Sequence, residues 1–459
     1  MRGAMKLDKK SLANYAEDQR ARFEATLKDF VEIPSVSSEP ERQPEIRRMA
    51  ELAAKTITDF GGEASILETA GNPLVHGRFD AGGGAPTVTV YNHLDVQPAS
   101  RQTEPWNTDP FVFTKQGDRY FGRGTTDDKG PALTALWGIR AARQAGVRAN
   151  LHVLWELEEE IGSTNFDDGV RRYANQLATG SVVVSDTIWV SRQRPACPAG
   201  LRGLQGFELT LETGQTDQHS GTTGGAARNP IGELMKLVCE MYDPATGKVK
   251  IKGFYDDVEP PTRAELEDFR TSGFSMRAFM KDHQFKSVRT KEPMEVMKRI
   301  WAMPTFEVHG LVGGYTGPGI KTIIPPRATV KISCRLVPNQ DPKKIMKLIR
   351  DFVRERNPDV KIESEAAMQP YKAPTTGPLA DAVRQAMKFA FGREPVFVRE
   401  GGSIGAVVSM EKVLRCPVVF LGLSLPEHGY HAPNENYDWQ QACGGMIAFA
   451  RYFEELSIL

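Results

Sequence analysis

Apolar positions recur along this chain with two different spacings, and the alternation between them outlines a fold. Residues 86–91, PTVTVY, set β-branched and aromatic side chains on the two-residue period of a strand. Residues 151–157, 181–185 and 417–424 (PVVFLGLS) read as further strands. Helical spacing fills the intervals. Two helices open the chain, over residues 12–30 and 44–60, the first stopped before Ile33-Pro34 and the second at Gly61-Gly62. Pro131 falls in the first turn of an Ala-rich helix ended by Gly146, and residues 379–392, LADAVRQAMKFAFG, form another closed by Gly392. Strands alternating with helices predict an α/β fold with an open, mostly parallel sheet, whose ligands collect outside the carboxyl ends of the strands.

Between about residues 206 and 370 the pattern changes. A strand (207–212), a helix (231–242), a charged excursion (246–267), a strand (329–336) and a helix (342–354) follow one another, as in an inserted α+β domain. The expected division is therefore 1–205 with 371–459 as one domain and 206–370 as the other.

Length and composition narrow the function. At 459 residues the chain exceeds the ~150-residue norm for one domain threefold. Lys+Arg and Asp+Glu both number 58, so no basic field would gather nucleic acid or anionic lipid, and a small substrate is expected. No apolar run approaches the ~20 residues that span a bilayer. The opening residues lack the ~7–15-residue apolar core of an export signal, and residues 1–4 read as an extension. The five cysteines are scattered and never form a CxxC pair, which suits a reducing, cytoplasmic setting.

The candidate chemistry sits at the strand ends: Asn92-His93-Leu94-Asp95, Thr126-Asp127-Asp128-Lys129-Gly130, Glu159-Glu160, Ser185-Asp186 and His428-Gly429-Tyr430-His431. Imidazole and carboxylate groups converging in such number suit a two-metal hydrolytic centre. Two adjacent glutamates repel unless a cation takes one of them, so one ligand and one base is the natural division of Glu159-Glu160. Asp95, two residues beyond His93, is expected to accept from the imidazole's second nitrogen and fix its orientation.

These segments resemble the cytosolic nonspecific dipeptidase and carnosinase group of the acetylornithine deacetylase and desuccinylase superfamily. The likeness runs from about Phe30 to Phe453. It is carried by His93-Leu94-Asp95-Val96-Gln97-Pro98, Gly122-Arg123-Gly124-Thr125-Thr126-Asp127-Asp128-Lys129-Gly130-Pro131, Glu159-Glu160-Ile161-Gly162-Ser163, Ser185-Asp186, Asp217-Gln218-His219-Ser220-Gly221 and Arg399-Glu400-Gly401-Gly402-Ser403. The resemblance implies a zinc-peptidase catalytic domain with an inserted lid and dimerisation domain. It implies two divalent metals, zinc with manganese or cobalt as alternatives, one on His93 and Asp186, the other on Glu160 and His431, with Asp127 bridging. Glu159 is then the general base and acid. His219 and Thr322 are implied to reach a partner subunit's site in a homodimer, and Arg335, flanked by Gly402 and Ser403, to clamp the substrate's free carboxylate. The implied reaction is hydrolysis of dipeptides, favoured by Asp at position 186. An N-acyl amino acid deacylase, desuccinylase or carboxypeptidase of the same superfamily is the alternative.

A serine hydrolase competes from another direction. Gly401-Gly402-Ser403-Ile404-Gly405 fits the GxSxG elbow, and Val396-Phe397-Val398 precedes it as a strand. That reading leaves every upstream acidic and histidine residue without a role.

Overall fold

The structure is a computed structural model that describes residues 5–459; residues 1–4, read above as an extension, lie outside the described residues. Six strands form the central sheet, in the order Glu63–Leu67, Leu74–Phe79, Asn150–Glu156, Thr87–His93, Ser181–Val184, Val418–Phe420. The last three pairings are parallel, and the first two strands add an antiparallel edge. The expected open, mostly parallel sheet is thus what the chain builds.

Strand alternation divides the side chains between two cores. Val88, Val90, Leu151 and Val153 face a core shared with the helices Lys9–Val31, Gln43–Asp59, Lys129–Gln144 and Trp439–Ser457. Tyr91, Leu154, Val182 and Val184 face the other side, under the helices Phe166–Arg172 and Gly405–Leu414. A sheet covered on both faces leaves its strand ends as the place where polar groups meet.

A second sheet is antiparallel, in the order Glu307–Gly313, Arg327–Leu336, Gly203–Glu212, Lys361–Met368. The helices Pro230–Met241 and Pro342–Arg356 pack on it around Leu209, Leu237, Ile332 and Ile349. Both helices carry Pro in the first turn and an acidic or amide cap, Asn229 and Asp341, whose side chain accepts from the next free amides. The charged excursion begins on this same core through Val249, Ile251 and Phe254, but the stretch after it packs elsewhere. Phe269, Met297 and Trp301 join the core of the central sheet, and Arg399 pairs with Glu265 at 2.8 Å.

Within the run 417–424, continuous ladder pairing with Ser181–Val184 covers Val418–Phe420, and Ser424 makes an isolated parallel bridge with Ile188. The strands Glu63–Leu67, Leu74–Phe79, Glu307–Gly313 and Lys361–Met368 and the helix Trp439–Ser457 were not anticipated from periodicity. Glu307–Gly313 and Lys361–Met368 are sheet edges with mostly exposed side chains, so little apolar alternation marks them.

Candidate metal centre

Three parallel strands end side by side and set the frame. Thr87–His93 delivers His93 at its last position, Asn150–Glu156 leads into Glu159 and Glu160 on a short 3-10 turn, and Ser181–Val184 stops two residues before Asp186. The amide of Leu94 donates to Glu156 O at 2.8 Å and so ties the first two ends together.

Asp127 stands at the middle. Its Oδ1 lies 2.9 Å from His93 Nε2 and its Oδ2 lies 3.0 Å from His431 Nε2. On one side His93 Nε2 is 3.7 Å from Asp186 Oδ2; on the other His431 Nε2 is 3.2 Å from Glu160 Oε2. All five residues expected to bind metal therefore converge, in two arms that share one carboxylate. His431 reaches this position from a loop with φ of 54°, the left-handed region that few residues other than glycine adopt.

Supporting contacts fix the carboxylates. Tyr430 Oη donates to Asp186 Oδ1 at 3.0 Å, and Gln97 donates to Glu160 through its amide at 3.1 Å and its Nε2 at 2.7 Å. Asp95 behaves differently from expectation. The nearest acceptor for His93 Nδ1 is the Asp95 carbonyl at 3.0 Å, while the carboxylate stands at 3.5 Å. That carboxylate accepts the backbone amides of Glu159 and Glu160, at 3.1 and 3.0 Å. It holds the glutamate pair, because a short turn leaves its first amides free and Asp95 is the anion in front of them.

Two residues outside the expected set belong here. Asp128 is fully buried, accepts Asn92 Nδ2 at 2.7 Å and groups with His93 and Asp186 as a possible ligand triplet; its Oδ1 has no hydrogen-bond partner. It does not cap the helix that follows it. Glu435, also buried, accepts the amides of Gly124, Thr126 and Asp127 at 3.1, 2.9 and 3.1 Å and the Arg123 guanidinium at 2.8 Å. It shapes the loop that presents Asp127. Nothing local in the sequence marks it, since more than 300 residues separate it from that loop.

The donor set suits cations. Burial pushes Glu159 well above the usual carboxylate range, with Asp186 and Glu160 adding repulsion. Burial, with Asp127 nearby, raises Asp186 to about 6 and also raises Glu160. Hydrogen bonds to Asp127 and Glu160 raise His431 to about 11. So much clustered negative charge, with a buried carboxylate oxygen on Asp128 left without a donor, fits a pair of divalent ions.

The remaining expected residues fall into two places apart from this cluster. Arg335 Nη1 donates to Ser403 Oγ at 3.1 Å, Ser403 Oγ donates to Arg202 O, and Gly402 O accepts the Arg202 amide at 3.0 Å. His219 and Thr322 are exposed beside a two-stranded ladder in which His219 pairs with Ile323. Neither has a hydrogen bond to the carboxylate cluster among the described residues.

The serine reading fails on geometry. A strand, Val396–Arg399, and a helix, Gly405–Leu414, do flank Ser403, yet its hydroxyl is committed to Arg202 and Arg335, and among the described residues no histidine hydrogen-bonds to it. His431 faces Asp127 and Glu160 instead. His428 is buried, with Nε2 3.0 Å from Asp438 and Nδ1 accepting the Leu425 amide.

A shared carboxylate between two histidine and carboxylate arms, at the carboxyl ends of parallel strands, is the arrangement of a dinuclear metallohydrolase. The chain belongs to peptidase family M20/M25/M40, whose model matches residues 89–455, and it is a dinuclear metallopeptidase. It is similar to the Cys-Gly metallodipeptidase dug1 of Schizosaccharomyces pombe, 29% identical over 474 residues that cover 99% of each chain. It is 29% identical over 468 residues to the human Beta-Ala-His dipeptidase, covering 97% of this chain and 92% of that one. Among solved structures, the M20 metallo-carboxypeptidase Sso-CP2 of Sulfolobus solfataricus superposes with a TM-score of 0.86 at 30% identity, covering 95% of this chain and 99% of that one. No helix among the described residues is long and apolar enough to cross a membrane.

Proposed function

We propose that this chain hydrolyses dipeptides, with two divalent cations held by His93, Asp127, Glu160, Asp186 and His431. The observation that carries the reading is the position of Asp127, one oxygen 2.9 Å from His93 and the other 3.0 Å from His431. Asp127 would be shared by the two ions, with His93 and Asp186 holding one and Glu160 and His431 the other. Zinc is the proposed metal, with manganese or cobalt as alternatives that the same donors suit. When bound, such a pair supplies Lewis-acid charge at the scissile carbonyl and acidifies water.

Glu159 takes the proton of the attacking water and returns it to the leaving amine. Asp95 positions base and ligand together through the amides of Glu159 and Glu160. Arg335 clamps the substrate's free carboxylate beside Ser403 and Gly402, as a planar guanidinium is suited to do.

His219 and Thr322 act on a partner subunit's site in a homodimer. Their exposure supports this, and so does the edge strand Glu307–Gly313, which pairs on one side only and exposes Val308, Leu311 and Val312. Residues 1–205 with 371–459 form the catalytic domain, and 206–370 form a lid that also dimerises. Five free cysteines are in keeping with a cytoplasmic enzyme.

Dipeptides are favoured by the relatives named for Cys-Gly and β-Ala-His cleavage, and by Asp rather than Glu at position 186. The likeness to a metallo-carboxypeptidase supports a second reading, in which the enzyme is a carboxypeptidase, N-acyl amino acid deacylase or desuccinylase. Chelation followed by separate repletion with zinc, manganese and cobalt, assayed on free dipeptides and N-acyl amino acids, tests both. Activity is expected to vanish, return with metal, and favour free dipeptides. Activity that survives chelation but dies with a serine-directed reagent would move the chemistry to Ser403. Glu159→Gln is expected to keep its metal and lose roughly 100 to 10,000-fold in turnover.

A further inference from the structure

A cavity of about 590 Å³ opens where the helical excursion meets the second sheet, a volume typical of small-molecule sites. Its wall carries three guanidiniums, Arg202, Arg289 and Arg299, two phenylalanines, Phe279 and Phe285, and one carboxylate, Glu307. Two of the cations have acidic neighbours. Arg289 lies 3.7 Å from Glu307, and Arg299 lies 2.9 Å from Glu295.

Arg202 has no carboxylate within ion-pair distance among the described residues. It is only 6% exposed, its Nη2 donates to the carbonyls of Arg299 and Met303, and its Nε has no partner at all. A buried cation with no anion is costly to fold around. Burial, and then the repulsion of Arg335, push Arg202 down to about 10. Glu307 offsets this only in part and is the partner of Arg289 rather than of Arg202, so the Arg202 guanidinium is left to pair with an anion supplied from outside.

Arg202 also joins the cavity to the proposed substrate clamp. Its carbonyl accepts from Ser403 Oγ, the same oxygen that accepts from Arg335 Nη1, and its amide donates to Gly402 O. These main-chain contacts set Arg202 beside the proposed clamp while its guanidinium lines the cavity.

We propose that this cavity is a subsite for a second carboxylate, the side chain of an aspartate or glutamate at the C-terminal position of the dipeptide, received by Arg202 with Arg289 at the rim. Phe279 and Phe285 cover the methylene stem. The inference rests on the dipeptidase reading, and its test separates the two.

Metal-loaded enzyme is assayed on Ala-Glu, Ala-Gln and Ala-Ala. Gln matches Glu in size, so the ratio of kcat/KM for the first two isolates the charge. The ratio is expected to favour Ala-Glu by about tenfold or more, the scale of a hydrogen bond to an ionised group. It falls toward one in Arg202→Met and in Arg289→Glu. Because both substrates are measured on one preparation, partial loss of folded protein cancels, and the rim variant serves if Arg202→Met does not fold. Equal kcat/KM for Ala-Glu and Ala-Gln in the unmodified enzyme overturns the subsite and leaves the dipeptidase reading standing. Failure on all three dipeptides, with turnover of N-acyl amino acids, overturns both. Free glutarate separates the sources of carboxylate. If it alters Ala-Ala turnover through Arg202 while Ala-Glu has no advantage, the cavity takes a separate dicarboxylate and the substrate subsite is overturned.

Discussion

Glu435 shows how much of the centre depends on side chains that touch no substrate. One buried carboxylate satisfies three amides and the Arg123 guanidinium, and so fixes the loop from which Asp127 projects. Glu435→Gln puts an NH2 group among donors and leaves Arg123 buried without its charge partner. A loss of roughly 3–5 kcal/mol in unfolding free energy is expected, the scale for breaking a buried pair, together with weaker metal retention. Denaturant titration and metal analysis check both; unchanged stability would mean that the loop holds its shape without this residue. At the same scale, the metal-type residues were legible because chemistry restricts them. His93, Asp127, Glu160, Asp186 and His431 stand at strand ends and loops where ligands gather, and they do converge. Asp95 was legible only in part. Its proximity to His93 was expected, but its carboxylate faces the amides of Glu159 and Glu160, which sequence distance cannot reveal.

Among elements, those with a buried face were readable and those at the edges were not. The helix Pro342–Arg356 and the strand Arg327–Leu336 alternate buried and exposed positions at helical and strand periods. The strand Glu307–Gly313 buries little of itself and leaves one edge open. An open apolar edge is a place for another chain to pair. Leu311→Glu combined with Val312→Lys, both on exposed positions, is expected to convert the proposed dimer to a monomer without unfolding it, as read by light scattering and circular dichroism. Dipeptide turnover falls with it if His219 serves a partner's site, and a fully active monomer would refute that role. Gly130 illustrates a constraint of a different kind. A Cβ there would lie 2.0 Å from Thr125 O, so the turn that carries Asp127 and Asp128 into the helix closes only on glycine.

For the molecule as a whole, acid is the predicted weakness. His76 is buried on the strand Leu74–Phe79 with its ring 5.2 Å from His152, and burial lowers it from 6.5 to about 3. The folded state therefore binds a proton less readily than the unfolded chain. Stability is fully present above pH 6.5 and declines as the pH falls toward 3, by up to roughly 1.4 kcal/mol per pH unit. His76→Phe removes that term, so its unfolding midpoint should vary less with pH over this range; an identical profile would assign the acid sensitivity elsewhere. The order of periods along the chain determined an α/β sheet with an α+β insertion, and the residue types at the strand ends determined a metal chemistry. Those follow from local rules, because periodicity and ligand preference act over a few residues. Only the tertiary structure decided that Glu435 anchors the Asp127 loop, that the Asp95 carboxylate turns to the Glu159 and Glu160 amides, that His428 is drawn away to Asp438, and that Arg202 has no ion-pair partner among the described residues. Each of these depends on which distant segments share a buried space, and burial is a property of the packed chain rather than of any stretch of it.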